Sequence, residues 1–373
     1  MKVLQLGKFY PVIGGVEKVM LDLTRGLSER GIRCDMLCAN HKRGESSFSL
    51  ELNANARIFC MKTLTKKMAT MISPSMVLKL HQIASQYDII HIHHPDPMAA
   101  VALLLSDYKG KVILHWHSDI LKQRCALKLY SPIQSWLIRR ADLIVGTTPV
   151  YVASSPYLVN VQNKCTYLPI GIEGLKWNQQ RADEIKSKFV GKKIIFSLGR
   201  LVGYKGFKYL IDSANFLSDD YVILIGGSGE LFEELSRQIV ASHLQNKVIL
   251  LGRVLDEDLP NYYAACDLFC LSSIQKTEAF AIVQVEAMSC HKPIVATKIP
   301  GSGVSWVNAQ GVSGENVPLA DSRSLAHAFE RILMDKECYT KYSNGAYCRY
   351  FDNFRLDSMI DKCLGIYHKV LED

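Results

Sequence analysis

Short apolar segments alternate with amphipathic segments along this chain, and the alternation occurs in two successive series. In the first series, Lys2–Leu6 is typical of a strand. The apolar residues that follow it have the i, i+3, i+4, i+7 spacing of a helix that Gly31 closes: Val16, Val19, Met20, Leu23 and Leu27. Further strands are predicted at Arg33–Cys38, Ile58–Met61, Asp88–His93, Val112–His117 and Asp142–Thr147. Repeated strand–helix alternation predicts an α/β fold with a parallel sheet whose faces are covered.

A second series begins after Tyr167–Gly171, a segment with proline and glycine that we interpret as a hinge. Its predicted strands are Lys193–Leu198, Tyr221–Ile225, Lys247–Leu251, Leu268–Leu271 and Pro293–Ala296. A chain of 373 residues fits two domains of about 100–200 residues each. We therefore predict two Rossmann-like, doubly wound domains facing each other across a cleft, at residues 1–168 and 169–351. Loops after strands should carry the chemistry, because ligands of open sheets bind beyond the carboxyl ends of the strands.

The net charge of +8 is concentrated in the first part of the chain. Residues 1–170 contain 21 Lys and Arg against 11 Asp and Glu, whereas residues 171–373 contain 23 against 25. This excess indicates an anionic partner for the first domain, although an ordinary soluble surface explains it too. A nucleic-acid partner is not expected, because the sequence has no compact basic run with interleaved aromatic residues.

Membrane spans and disulfides are not expected either. The longest uncharged apolar stretch, Met98–Leu105, is far shorter than the ~20 residues that a span needs. No export signal is recognised, since Gly7, Lys8 and Pro11 interrupt the apolar start. The eleven cysteines lack a CxxC spacing, which favours buried thiols over a disulfide framework or a zinc site. These features predict a cytoplasmic protein.

Two glycine-containing segments follow predicted strands. Gly14 and Gly15 open the first helix, where backbone N–H groups can approach a phosphate, although a glycine pair is often only a turn. Gly226–Glu230, with Gly229, follows a strand of the second series. It predicts either close backbone approach to a ligand or a tight turn, and both interpretations remain open.

Four charged residues follow strands of the second series. Arg200 and Lys205 share a glycine-containing loop, where two cations would stabilise a departing diphosphate; solvated surface cations are the alternative. Glu278 and Glu286 lie in a segment that is typical of a loop leading into a buried helix. If every residue between them is helical, the two glutamates are roughly 12 Å apart along the helix axis. The two catalytic carboxyl groups of a retaining glycosidase are only ~5 Å apart, so the two glutamates are expected to have separate roles. We expect Glu278 to lie near a sugar and Glu286 to accept hydrogen bonds from ribose hydroxyls. A glutamate inside an apolar helix needs a partner for its charge.

His117 closes a predicted strand and is a functional candidate. The cluster of His91, His93 and His94 closes the preceding strand and is interpreted as packed or capping, since no cysteine or carboxylate completes a metal site. Asp256–Asp258 matches a DxD metal motif, but helix N-capping and complementarity to the helix dipole explain it more simply. No metal ion and no other cofactor are predicted.

Together these segments resemble the family-4 retaining glycosyltransferases with the GT-B fold, which build bacterial surface polysaccharides. The resemblance covers nearly the whole chain. It is carried by the glutamate–seven–glutamate motif (Glu278 and Glu286), the GR…K loop (Arg200 and Lys205), the GGxE-type start (Gly14–Glu17) and the active-site histidine (His117).

The resemblance implies a retaining, metal-independent transfer from a nucleoside-diphosphate sugar, without a stable covalent intermediate. It implies a donor in the second domain, an acceptor in the first, and a C-terminal helix at about 352–373 that crosses back to the first domain. The implied catalytic residues are His117, Arg200, Lys205 and Glu278. The implied donor-binding residues are Gly14, Gly15, Gly229, Phe280, Ala281, Ile282, Val283 and Glu286. Ala281 and His291 replace glycines that are usual in the family, and His291 could alter the shape of the donor pocket.

The sequence gives less information about the substrates than about the type of reaction. Gly301–Asn308 looks like the corresponding segment of some O-antigen and capsule transferases, which favours GDP-mannose, with a UDP-hexose or UDP-N-acetylhexosamine as the alternative. The expected acceptor is a lipid-linked glycan in lipopolysaccharide or capsule biosynthesis. A GT-B sugar-nucleotide 2-epimerase and a pseudo-enzyme binding module are the rival functions. Met61–Ala84 mixes lysines with apolar residues, which predicts peripheral attachment to the inner face of an anionic membrane; a solvated loop is the alternative.

Overall fold

The computed structural model describes residues 1–67, 70–120 and 124–372, without the side chains of residues 124–129. The chain divides into two compact units. The first comprises Met1–Ile170 and Leu356–Asp373, and the second comprises Gly171–Arg355. The sequence placed the boundary at 168/169 and the return to the first unit at about 352.

The first unit is built on an eight-stranded sheet in the order β10-β9-β8-β7-β1-β2-β4-β3. Its pairs are parallel except for β3 with β4. The strands are β1 (Lys2–Tyr10), β2 (Arg33–Arg43), β3 (Phe48–Asn53), β4 (Ala56–Thr63), β7 (Ile89–His94), β8 (Lys111–Trp116), β9 (Leu143–Gly146) and β10 (Cys165–Tyr167), and β5 (Thr65–Lys67) pairs separately with β6 (Thr70–Ile72). The helices are α1 (Gly15–Glu29), α2 (Pro74–Ile83), α3 (Pro97–Leu105), α4 (Arg124–Arg140) and α5 (Pro149–Ser154).

The second unit is built on a six-stranded parallel sheet in the order β13-β12-β11-β14-β15-β16. Its strands are β11 (Lys193–Leu198), β12 (Tyr221–Gly226), β13 (Val248–Gly252), β14 (Leu268–Leu271), β15 (Ile294–Thr297) and β16 (Gly314–Val317). Its helices are α6 (Gln179–Ser187), α7 (Phe207–Ser213), α8 (Phe232–Ala241), α9 (Leu259–Ala265), α10 (Ile282–Ser289), α11 (Val304–Val307), α12 (Ser322–Met334) and α13 (Lys336–Asn353). The buried residues of the sheet and of α7, α8 and α12 form one core, which includes Ile195, Ile223 and Phe329. Both units are therefore Rossmann-like.

The last helix, α14 (Leu356–Glu372), belongs to the first unit. It packs on α1, and Arg30, directly after α1, forms ion pairs with Asp357 and Asp361 at 2.9 Å each. Its buried face carries Ile360 and Tyr367, which are fully enclosed. The amphipathic pattern of this segment is therefore used to cover the sheet of the first unit.

The segment Met61–Ala84 forms the end of β4, the β5–β6 pair and α2, which begins at Pro74. Three of its apolar side chains, Met71, Met76 and Leu80, are buried in the first unit at 4%, 0% and 0% exposure. These side chains cannot enter a lipid phase while the unit stays folded. Met68 lies outside the described residues. None of the described helices is long and apolar enough to cross a membrane.

The cysteines that the structure describes have free thiols. Burial raises the pKa of the Cys363 thiol to about 12 and that of Cys290 to about 11. Thiols with such pKa values stay protonated and unreactive at neutral pH, as expected of packed cysteines.

Candidate functional site

Lys205 and Glu278 form a buried ion pair in the second unit. Lys205 Nζ lies 2.5 Å from Glu278 Oε2, and the two side chains are only 10% and 11% exposed. Ser273 Oγ donates to the same oxygen at 2.8 Å. Glu278 Oε1 makes no hydrogen bond to any residue that the structure describes, so this oxygen is available to a ligand.

Two neighbouring strands hold this pair in place. Lys205 lies in a 3-10 turn in the loop after β11, and Glu278 follows β14, which pairs with β11. The Ser272 hydroxyl donates to the Lys205 carbonyl at 2.9 Å, which ties the two loops together. The Ser302 hydroxyl donates to the Glu278 carbonyl. The pair thus lies beyond the carboxyl ends of parallel strands, where open sheets bind their ligands.

Arg200 lies in the same loop as Lys205 but is exposed, and among residues 1–67, 70–120 and 124–372 it forms no ion pair. The loop is held by the segment that follows β12. Leu201 N–H donates to the Ser228 carbonyl at 3.0 Å, and Leu231 N–H donates to the Leu201 carbonyl at 3.1 Å. A Cβ on Gly229 would lie 2.5 Å from the Leu201 oxygen, so contact between the two loops already accounts for this glycine.

The helix α10 begins at Ile282, and three residues of the preceding loop separate it from Glu278. No side chain caps this helix, so the first backbone N–H groups, including those of Ile282 and Val283, remain open to an anion. Phe280 is buried and packs edge-on against Phe354, with ring centroids 5.9 Å apart. Phe280 can therefore reach a ligand only through its backbone.

Both residues that replace family glycines have left-handed backbone conformations. Ala281, at the amino end of α10, has φ 64° and ψ 75°. His291 has φ 59° and lies after the carboxyl end, where Lys292 N–H donates to the Ala287 carbonyl in a Schellman turn. The His291 ring stacks on Tyr347 of α13 at 3.8 Å. The expectation that His291 shapes the donor pocket gains no support, since Glu278 lies at the other end of the helix.

We expect Ala281→Gly to raise the unfolding free energy by about 0.5–1 kcal/mol. Glycine removes the strain of the left-handed backbone, and this gain exceeds the loss that comes from the greater entropy of glycine in the unfolded chain. His291→Gly is the matched control. It relieves the same strain but loses the stacking on Tyr347, which is worth about 0.5–1.5 kcal/mol, and should give no gain. Urea unfolding of both variants measures the difference. A gain for His291→Gly alone would contradict the argument.

Glu286 has the partner that its place inside an apolar helix requires. Tyr263, which is fully buried, donates its hydroxyl proton to Glu286 Oε2 at 2.7 Å. Burial raises the pKa of Glu286, the Tyr263 hydrogen bond opposes this, and the charge of Asp256 adds to the rise. Glu278 lies before the first residue of α10, so the fully helical separation assumed for the two glutamates does not apply.

The segment Asp256–Asp258 precedes a helix as predicted, but the expected side-chain cap is not formed. Asp258 occupies the position before α9, but its side chain makes no capping hydrogen bond. Its carboxylate instead forms an ion pair with Arg181 at 2.7 Å. The ion pair with α6 explains this acidic residue.

In the first unit, His117 follows β8 and is 5% exposed. Its ring stacks on His115 at 3.9 Å, and its Nε2 lies 2.9 Å from His93 Nδ1. Burial lowers the pKa of both His93 and His117 well below the usual value, so both rings are neutral at physiological pH. Elsewhere in this unit, Gly14 precedes α1 without a side-chain cap, and a Cβ on it would meet the Glu17 carboxylate at 2.6 Å.

His91, His93 and His115 bring ring nitrogens within 4.8 Å of one another, a grouping that the sequence did not indicate. Their rings are stacked, with interplanar angles of 16° to 30°. Imidazole lone pairs lie in the ring plane, so stacked rings do not direct them at one shared ion. The arrangement is that of a packed layer, as interpreted for His91 and His93.

Three contacting residues were missed: Tyr263 and Ser273, which contact the two glutamates, and Gln5, which contacts His93. Gln5 lies inside a buried strand, and a lone amide in the apolar run of β1 was the signal that could have revealed it. Tyr263 and Ser273 carry no such signal, because a tyrosine on a helix and a serine after a strand are common on any surface.

The chain matches two families of known proteins and several individual relatives. Residues 13–172 match Glycosyltransferase Family 4, and residues 178–349 match Glycosyl transferases group 1. O-antigen chain mannosyltransferase C of Escherichia coli is 31% identical over 376 residues, which cover 100% of this chain and 99% of that protein. D-rhamnosyltransferase WbpZ of Pseudomonas aeruginosa is 27% identical, with 94% and 91% covered.

The fold is shared with solved structures. Anabaena Alr3699/HepE in complex with UDP has a TM-score of 0.79 at 21% identity, over 99% of this chain and 100% of that one. Sucrose-phosphate synthase from Thermosynechococcus elongatus has a TM-score of 0.80 at 17% identity, with 100% of both chains covered. The two family matches and the full-length similarity to O-antigen chain mannosyltransferase C establish that the chain belongs to the family-4-type glycosyltransferases, and the solved structures show that it has the GT-B fold.

Proposed function

We propose that this glycosyltransferase moves a hexose from a nucleoside-diphosphate sugar to a hydroxyl of a lipid-linked glycan, with retention and without a metal ion. Mannose from GDP-mannose is the proposed donor group, and O-antigen or capsule biosynthesis is the proposed context. The observation that carries the proposal is the Lys205–Glu278 pair beside the uncapped amino end of α10.

This arrangement suits a reaction in which a diphosphate departs. The bond from the anomeric carbon to the diphosphate oxygen breaks, and the acceptor oxygen bonds to the same face of that carbon. The acceptor proton passes to the departing diphosphate. Lys205, Arg200 and the helix N–H groups would stabilise the charge that develops on the phosphate oxygens. Glu278 Oε1 would accept a hydrogen bond from a sugar hydroxyl.

The similarity to O-antigen chain mannosyltransferase C supports mannose, and the D-rhamnosyltransferase supports a related hexose. A UDP-sugar remains the second candidate, because a full-length relative is named UDP-Gal:alpha-D-GlcNAc-diphosphoundecaprenol alpha-1,3-galactosyltransferase. That name also contains a lipid diphosphate acceptor, which supports a lipid-linked glycan here.

We expect GDP-mannose and a lipid-linked glycan acceptor to yield GDP at a rate that excess EDTA does not change, since cations of the protein replace a metal. Release of nucleoside diphosphate measures this, with a UDP-hexose in parallel. A requirement for magnesium or manganese would contradict metal independence. At least tenfold tighter binding of UDP than of GDP, a difference of ~1.4 kcal/mol, would contradict the donor. An epimerised donor without transfer would indicate the 2-epimerase, and binding alone would indicate a binding module.

We also propose that the protein is cytoplasmic and attaches to the inner face of an anionic membrane through charge. Lys62, Lys66 and Lys67 are exposed, and Leu64 beside them is 50% exposed. Because Met71 and Met76 are buried, attachment should be electrostatic and weakened by salt. In vesicle flotation, the protein should bind anionic vesicles in preference to neutral ones. This preference should be smaller in the double variant Lys66→Ala/Lys67→Ala. Equal binding to neutral vesicles would contradict it.

A further inference from the structure

A chain of hydrogen bonds runs from His117 into the core of the first unit. His117 Nε2 lies 2.9 Å from His93 Nδ1, and His93 Nε2 lies 2.7 Å from Gln5 Oε1. Gln5 Nε2 donates to the Tyr367 hydroxyl of α14 at 2.9 Å. The Tyr367 hydroxyl lies 2.6 Å from His91 Nδ1. Every member of this chain except His117 is at most 1% exposed.

The direction of the chain follows from the orientation of the Gln5 amide. Its nitrogen faces two acceptors, the Tyr367 oxygen and, at 3.7 Å, Cys34 Sγ, so both amide protons are used. Its oxygen can only accept, and therefore the proton between Gln5 and His93 belongs to His93 Nε2. His93 Nδ1 then carries the lone pair, and the proton between the two rings belongs to His117 Nε2.

We propose that Gln5, anchored by Tyr367, is a positioning residue that holds His117 in the Nε2–H tautomer through His93. The remaining ring nitrogen of His117, Nδ1, is then a fixed acceptor that takes a hydrogen bond from a hydroxyl of a bound sugar. This inference rests on the proposed function, since it assumes that His117 meets a glycoside or nucleotide-sugar substrate. Nothing in it requires His117 to gain a charge.

A buried neutral histidine needs a neighbouring group that selects one of its two tautomers. A neutral histidine in water populates both tautomers, and only one of them presents a lone pair at Nδ1. Burial lowers the pKa of His91, His93 and His117 well below the usual value, which keeps the chain free of charge. When both rings are neutral, the accepting Gln5 oxygen fixes the proton positions of His93 and His117.

Nitrogen-15 NMR of the histidine-labelled full chain tests the tautomer without any substrate. We expect the His117 Nε2 resonance in the N–H range and the Nδ1 resonance in the lone-pair range. In Gln5→Met, which keeps the volume and removes the acceptor, His117 should become a mixture of tautomers. His94→Phe is the control, since the His94 ring stacks on Trp116 outside the chain of hydrogen bonds. An Nδ1–H tautomer in the wild type, or an unchanged His117 in Gln5→Met, would overturn the proposal.

Kinetics provide the second measurement. Gln5→Met should lower kcat/KM on the order of tenfold, equivalent to ~1.4 kcal/mol, while His94→Phe keeps the wild-type value. Tyr367→Phe removes only the anchor and should give a smaller loss. An inactive wild type with the expected tautomer would contradict the proposed function alone. An active wild type whose kcat/KM does not respond to Gln5→Met would contradict the positioning role alone.

Discussion

Glu278→Ala is expected to lower turnover by at least an order of magnitude and also to destabilise the second unit. Losing a contact that strengthens in the transition state typically costs ~3–4 kcal/mol of activation free energy. The structure adds a second effect, because Lys205 would remain buried without its carboxylate partner at 2.5 Å. Breaking a buried ion pair typically costs about 3–5 kcal/mol of stability. Lys205→Ala should show the same two losses.

The two effects can be separated with a paired replacement. In Lys205→Met/Glu278→Met both charges are replaced by apolar side chains of similar length, so the unfolding free energy should return close to the wild-type value. Turnover should remain lost, because neither the cation nor the carboxylate is restored. Arg200→Ala provides the complementary case, since this exposed side chain should lose turnover without loss of stability. Wild-type turnover in the Lys205 and Glu278 variants would contradict the site assignment.

Gly227→Ala is expected to destabilise the second unit by about 3 kcal/mol or more. Gly227 has φ +140°, a conformation that residues with a Cβ avoid, and a Cβ there would lie 1.9 Å from the Gly199 carbonyl oxygen. Gly199 begins the loop that carries Arg200 and Lys205, so relief of the collision must displace that loop. Turnover should therefore fall together with stability.

Gly203→Ala is the matched control for this change. Gly203 lies in the loop that carries Arg200 and Lys205, and a Cβ there would have open space around it. Thermal and urea unfolding of the two variants should differ by several degrees and by about 3 kcal/mol. If Gly227→Ala unfolds like Gly203→Ala, the close approach of the two loops described here is incorrect.

Strands were predicted correctly where an apolar run is bounded by turn residues. They were missed where the strand contains a charged residue or mostly exposed side chains. β11 and β14 have the predicted bounds, because each is a continuous buried run between polar residues. β3 was missed because it pairs at the sheet edge with mostly exposed side chains. β16 was missed because it contains Glu315, whose charge is balanced by Arg331 of α12.

The candidate site shows a similar division. The types of residue and their positions after strands could be read from the sequence, which indicated Lys205 and Glu278. Their pairing could not, since 73 residues separate them and no local pattern records which cation meets which carboxylate. The left-handed backbone of Ala281 was also hidden, because it departs from the glycine that the conformation favours. Tertiary contacts decide both features.

The placement of α14 has a consequence for the order in which the chain can fold during synthesis. When translation has reached residue 355, every residue of the second unit exists, but the first unit still lacks the helix that supplies Tyr367. Gln5 and Tyr367 are 362 residues apart, so the earliest strand waits for one of the last side chains. Domains usually complete their folding from the amino terminus onward. In this protein the unit that is synthesised first is completed last.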